Sequence, residues 1–106
     1  MRTNVKNEFL DITKGLSVVC AIIHHSDRYS YDEYVAPKIK LFVNYTEKDW
    51  DRFLKSLDFT YDNDYGSQEL YGIIWCKDGI WIDRSEYDGS EWWQIHKCPE
   101  IPEVLM

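Results

Sequence analysis

The sequence lacks any apolar run long enough to cross a bilayer. Its longest, residues 16–23, falls far short of the roughly 20 residues a spanning helix needs. The amino-terminal MRTNVKNEF has no apolar secretory core, so the expectation is a soluble, cytoplasmic chain. No Gly-rich phosphate loop, Walker motif or nucleophile elbow occurs, which removes the enzyme classes that those motifs announce. Cysteine is scarce and odd in number: Cys20, Cys76 and Cys98. With no secretory leader, that count argues against a disulfide framework. Cys20 and Cys76 lie in strand-like stretches and read as buried thiols.

Basic residues are scarce in one third of the chain. Residues 58–91 hold nine acids (Asp58, Asp62, Asp64, Glu69, Asp78, Asp83, Glu86, Asp88 and Glu91) against Lys77 and Arg84. The formal charge of the 106-residue chain is −7, and this segment accounts for all of it. Such a surface repels nucleic acid and membranes and attracts a basic partner. The plainer reading of the same acids is solubility.

What is present is hydrophobic and unusually aromatic, with five Trp and eight Tyr. One domain over residues 1–106 is expected, with residues 1–8 poorly ordered and residues 99–106 (PEIPEVLM) an extended tail. Residues 9–14 read as a short strand or one helical turn, ended by Gly15. Residues 16–25, rich in Val and Ile, read as a central strand buried on both faces. Residues 26–37 read as a long tyrosine-rich connection. Residues 38–45 read as a second strand with Ile39, Leu41 and Val43 on one face. The clearest helix is residues 46–57, with Thr46 as N-cap, Asp49 completing a capping box and Tyr45 with Trp50 as a hydrophobic staple. Its apolar stripe is Trp50, Phe53, Leu54 and Leu57.

Residues 58–67 form an acidic, turn-rich loop, and residues 69–98 a three-stranded meander. Its two Asp-Gly pairs, Asp78-Gly79 and Asp88-Gly89, mark hairpins. A three-residue first loop with Gly79 left-handed pairs Trp75 with Trp81 and Ile74 with Ile82, like with like. A similar second loop pairs Arg84 with Trp92 and Asp83 with Trp93, with Arg84 over Trp92 as a cation–π pair. One sheet face then carries Tyr71, Ile73, Trp75, Trp81, Trp93 and Ile95. The other carries Ile74, Cys76, Ile80, Ile82, Arg84, Trp92, Gln94 and His96. The expected fold is α+β: a small antiparallel sheet, β-β-α-β-β-β, with one helix packed on a face.

Little catalytic chemistry is legible. His24, His25, His96 and Cys98 lack the paired spacing of a zinc site, and no metal or cofactor is expected. A Cys–His nucleophile pair needs an exposed thiol in an electropositive setting, which an acidic chain does not offer. The paired carboxylates Asp83/Glu86 and Asp88/Glu91 sit near hairpin turns, a poor setting for glycosidase-like work. Aromatic platforms bind single strands only with a basic groove, so direct nucleic-acid binding is disfavoured.

The stretch YGSQELYGIIWCKDGIWIDRSEYDGSEWWQIHKCPEIP resembles small proteins of unknown function from bacteriophage and other mobile elements, which carry a GxIWxxDGxW…EYDGSEWW…CPxIP pattern. The resemblance covers roughly residues 53–104. It implies a phage-encoded context and brings no activity with it. By analogy of class, small acidic phage proteins include anti-CRISPR and other anti-defence inhibitors.

The resulting expectation is a non-enzymatic binder that inhibits a basic, nucleic-acid-binding host protein. Its partner-binding residues are Asp62, Asp64, Tyr65, Asp83, Glu86, Tyr87, Glu91 and Trp92. The alternatives are an immunity or antitoxin protein neutralising a nuclease toxin, and a small metal-assisted enzyme. Self-association as a homodimer through a Trp-rich face is compatible with the first reading.

Overall fold

A computed structural model describes residues 2–26, 38–63 and 66–106. The expected connection at 26–37 therefore lies almost wholly outside the described residues, as do Asp64 and Tyr65.

The chain begins with order. Strand β1 (Arg2–Asn4) runs straight into helix α1 (Val5–Ile12). Asn4 caps α1 by accepting the Asn7 N–H at 3.0 Å, the bond that makes Asn a favoured N-cap. Val5 and Phe9, four apart on one helix face, are fully buried. Residues 2–8, expected to be poorly ordered, are instead taken up by β1 and the start of α1. The spacing of Val5, Phe9 and Ile12 behind an Asn cap is a helical signal that a strand-or-turn reading of residues 9–14 misses.

Strand β2 (Val18–His25) is followed by β3 (Ile39–Leu41). The predicted strand at 38–45 stops early. Phe42 and Val43 are exposed, and Asn44 turns the chain at φ 62°, so Val43 does not join the core. Tyr45 then re-anchors the chain by donating its hydroxyl proton to the Val18 carbonyl at 2.7 Å.

Helix α2 (Glu47–Ser56) has the predicted start. Thr46 accepts the Asp49 N–H at 3.2 Å, and the Asp49 carboxylate accepts the Thr46 N–H at 3.0 Å. Tyr45 and Trp50 stack with centroids 5.5 Å apart. Phe53 and Leu57 are buried, with Trp50 and Leu54 packed at the edge of the core.

The remaining strands are β4 (Thr60–Asp62), β5 (Leu70–Cys76), β6 (Ile80–Tyr87) and β7 (Ser90–Lys97). A 3₁₀ turn at Glu103–Leu105 interrupts the exposed tail. Strand β4 pairs antiparallel with β1 in a small two-stranded sheet. The main sheet is antiparallel, in the order β3-β2-β5-β6-β7. The protein is therefore α+β, with one more helix and two more strands than the sequence reading supplied. Strand β2 is internal, but only one of its faces is buried, through Val18, Ala21 and Ile23. A bulge between Val18 and Cys20 adjusts its register against β5.

Both helices contribute to one core. Phe9 meets Phe53 edge-on at 5.3 Å, and these pack with Leu57, Tyr61, Leu70, Ile74, Ile82 and Trp93 in one buried cluster. Gly72 fits where β5 runs beside β2, opposite Ile23, because a Cβ there would lie 2.6 Å from the Ile22 carbonyl oxygen. Among the described residues no helix is long and apolar enough to cross a membrane.

Candidate functional site

The meander that carries the acids is built by its two Asp-Gly turns. In the first, Asp78 and Gly79 both adopt positive φ, 65° and 74°. The predicted register holds, with Ile74 opposite Ile82 and Trp75 opposite Trp81. In the second, Asp88 and Gly89 have φ of 51° and 89°, and Tyr87 pairs directly with Ser90. This is a two-residue loop of the primed kind, not the expected three-residue loop. Arg84 therefore pairs with Trp93, and Asp83 with Gln94.

A one-residue slip turns every side chain of a strand to the other face. The predicted faces are correct for β5 and β6 and inverted for β7. Trp93 and Glu91 point into the core, while Trp92, Gln94 and His96 join Trp75, Trp81 and Asp83 on the outer face. The Arg84 guanidinium lies over Trp93, at 4.9 Å from its centroid, and not over Trp92.

The inner face holds an unexpected polar network. Arg84 Nη2 donates to Glu91 Oε1 at 2.7 Å and to the Tyr61 hydroxyl at 2.8 Å, and Nη1 donates to Glu8 Oε1 at 3.2 Å. Tyr61 donates to Glu8 Oε1 at 2.6 Å. Burial, and the hydrogen bond to the Glu8 carboxylate, push the Tyr61 phenol well above its ordinary value, so it stays a donor. The Glu91 carboxylate also accepts the N–H groups of Glu69 and Leu70, at 2.7 and 2.9 Å. A buried carboxylate needs this kind of satisfaction to remain charged. Glu91 is thus a structural residue that ties β7 to β5, and the expectation that it faces a partner is corrected.

The outer face is different in kind. Trp75 and Trp92 are 42% and 39% exposed, and no helix of the described chain covers them. Trp81 stacks on His96 with centroids 4.1 Å apart, and His96 Nε2 lies 2.7 Å from Asp83 Oδ1. His24 stacks on Tyr71 at the other end of this face. Just beyond it, the second hairpin tip presents Glu86, Asp88 and Tyr87, the last 77% exposed. Glu86 accepts the Gly89 N–H at 3.0 Å, so it also stabilises the turn. Asp62 is half-buried in β4, away from that face on the small sheet.

The structure therefore gathers Asp83, Trp92, Glu86 and Tyr87 on or beside the outer face of β6 and β7. It separates Asp62 from them and removes Glu91 to the interior. Asp64 and Tyr65 lie outside the described residues. Sequence reasoning kept Trp92 and His96 together but missed that they share a surface with Trp75 and Trp81, because the register of one hairpin decides it.

Other acids of the segment have local duties. Asp58 accepts from the Asn4 side chain at 2.9 Å, Glu69 lies 3.3 Å from His25, and Asp78 and Asp88 occupy left-handed turn positions. Internalising Glu91 with Arg84 leaves the charge balance outside the core unchanged, because one acid and one base leave together. Among the described residues no three His, Cys, Asp or Glu side chains converge on a point that would hold a metal ion. His24 faces outward, His25 lies against Phe59 and Glu69, and Cys98 is exposed beside Gly79. Cys76 is buried, and that burial raises its thiol pKa.

No protein-family model matches this chain, and searches of curated proteins and of solved structures find no match to it either.

Proposed function

We propose that this chain is a non-enzymatic, acidic binding protein that occupies the basic, nucleic-acid-binding surface of another protein and so blocks it. The observation that carries the reading is the outer face of β5–β7, which no described helix covers. There Trp75, Trp81 and Trp92 lie with Asp83, next to a hairpin tip bearing Glu86, Tyr87 and Asp88, on a chain of net charge −7.

Large aromatic rings beside carboxylates are the residue types that dominate binding energy at interfaces. The negative field draws in a basic partner and speeds encounter. The core of the same sheet shows what such groups do with a guanidinium: Arg84 is held by two carboxylates and lies over an indole ring. An arginine that normally holds a phosphate is suited to the same treatment from outside. With the sequence resemblance to phage and mobile-element proteins, the target is a host defence protein in the cytoplasm, and the mode is inhibition.

The test is capture of nucleic-acid-binding proteins from host lysate, followed by competition. Bound partner should be released by added salt and by added nucleic acid. The variant Asp83→Asn/Glu86→Gln/Asp88→Asn should associate much more slowly. Its amides keep the hydrogen-bond acceptors, and Asn suits the left-handed conformation at position 88. Partner binding that survives both the variant and high salt rules the electrostatic reading out.

A further inference from the structure

The main sheet ends in two very different edges. Strand β3 is three residues long, with Lys40 at its centre and Lys38 just before it. Strand β7 is eight residues long and pairs with β6 over its whole length, from Ser90 to Lys97. Natural sheets keep exposed edges short or guard them with charge and proline, because a free edge is a template for another strand.

Which backbone groups of β7 face outward can be read from its two ends. The Glu91 N–H donates away from β6, to the Asn63 carbonyl at 2.9 Å, and the Cys98 N–H donates back to Gly79 at 2.9 Å. Odd-numbered residues therefore point their N–H and C=O groups away from β6. At Trp93, Ile95 and Lys97 no backbone–backbone hydrogen bond joins these outward groups to another described residue, and the Ile95 carbonyl accepts the Gln94 side-chain amide at 3.4 Å. Ile95, in the middle, is 45% exposed.

We propose that this edge pairs with the same edge of a second copy of the chain, antiparallel, on a two-fold axis at Ile95. The register follows from the free groups. With Ile95 opposite Ile95 of the second copy, Trp93 falls opposite Lys97 and Lys97 opposite Trp93. The three outward-facing positions then satisfy one another, each pair exchanging two N–H···O bonds, with the Ile95 carbonyl giving up its long contact to the Gln94 amide.

Sliding the strands by two residues in either direction spoils this. One slide calls on the Glu91 N–H, which Asn63 already holds. The other calls on Pro99, which has no N–H. The pairing thus ends at Glu91 on one side and Pro99 on the other. No like charges fall opposite each other: Lys97 meets an indole position and Gln94 meets His96. The axis buries two half-exposed isoleucines against each other. The product is a continuous antiparallel sheet of two copies whose outer, Trp-bearing faces lie side by side.

The experiment is the mass of the full chain in solution, by light scattering over a wide concentration range, for wild type and Ile95→Pro. Proline at 95 removes an N–H that no described residue of the single chain uses, a position that an edge strand tolerates. Wild type should reach the mass of two chains, and Ile95→Pro should stay at one chain with an unchanged far-ultraviolet spectrum. A wild type that remains a single chain at the highest concentration overturns the proposal. So does a folded Ile95→Pro that dimerises like wild type, and so does a dimer abolished by Trp75→Ala and untouched at Ile95. Should Ile95→Pro not fold, Ile95→Asp sets two like charges across the axis and should be a single chain. In a Cys98→Ser background, Ile95→Cys should cross-link into a covalent dimer on mild oxidation, and failure to cross-link counts against the register.

Discussion

The Arg84 guanidinium and the Glu91 carboxylate meet at 2.7 Å, with side-chain exposures of 2% and 0%. They face each other because β6 and β7 join through a two-residue turn, which sets both on the inner face. The pair links β6 and β7 to β5 through the Glu69 and Leu70 amides, and to α1 and β4 through Glu8 and Tyr61.

Removing one partner of a buried ion pair leaves the other uncompensated, at a cost of about 3–5 kcal/mol. Arg84→Met is therefore expected to lower the urea-unfolding free energy by about that amount. In Arg84→Met/Glu91→Gln the fully buried carboxylate charge is gone, leaving only the partly exposed Glu8 without its arginine, and Gln still accepts one of the two backbone N–H groups. That double variant should be more stable than Arg84→Met alone. Equal or lower stability of the double variant means that the uncompensated charge is not the source of the cost.

Gly72 tests how β2 and β5 meet. Its ideal Cβ would lie 2.6 Å from the Ile22 carbonyl oxygen and 3.0 Å from an Ile23 side-chain atom. Both strands are hydrogen-bonded along this stretch, so the backbone must move apart to admit a methyl group. Gly72→Ala should cost about 1–3 kcal/mol, the usual range for overpacking. Denaturant titration of the two proteins measures it, and a neutral substitution means that the strands are less tightly held than the register implies.

The parts of this fold legible in the sequence are those whose signals are local. Thr46 and Asp49 announce α2 within four residues, and Asp78-Gly79 announces the first hairpin. The stretch from Glu86 to Gly89 announces a turn as well, but its loop length was settled elsewhere. Tyr61 and Glu8 lie far from Arg84 in the sequence and hold it on the inner face. Pairing Arg84 with Trp92 satisfied a local cation–π argument and missed these distant partners. The same slip hid the outer surface, since Trp92 and His96 reach it only in the true register. Helix α1 was hidden for a different reason: a polar terminus masks two buried residues, Val5 and Phe9, at helical spacing. The charge segregation was plain in the sequence, whereas the inward turn of Glu91 was not.

The three thiols should separate by reactivity. Cys98 is exposed, Cys20 is half-buried and Cys76 is buried. Burial raises the Cys76 pKa, so less of it is thiolate at a given pH, and the thiolate is the reactive form. Titration of the folded protein with a chromogenic disulfide reagent should modify Cys98 first and Cys76 last, with Cys76 reacting fully only on unfolding. Rapid modification of Cys76 in the native protein contradicts the packing of β5 against the core.

The capping box of α2 gives a pH dependence with a definite sign. The Thr46 backbone N–H, chiefly, and the Thr46 side chain hold the Asp49 carboxyl below its ordinary pKa. A carboxylate depressed in the folded state adds stability that is complete above its unfolded pKa and is lost as pH falls through the folded one. Asp49→Ala should therefore be less stable than wild type at neutral pH. That difference should shrink steadily as the pH is lowered below the ordinary carboxylate range, where Asp49 takes up its proton. Thr46→Ala removes the reciprocal bond and should cost about 1 kcal/mol. Urea unfolding of the three proteins across that acid range measures both effects. A difference between wild type and Asp49→Ala that stays constant with pH shows that Asp49 acts at this helix start through something other than its charge.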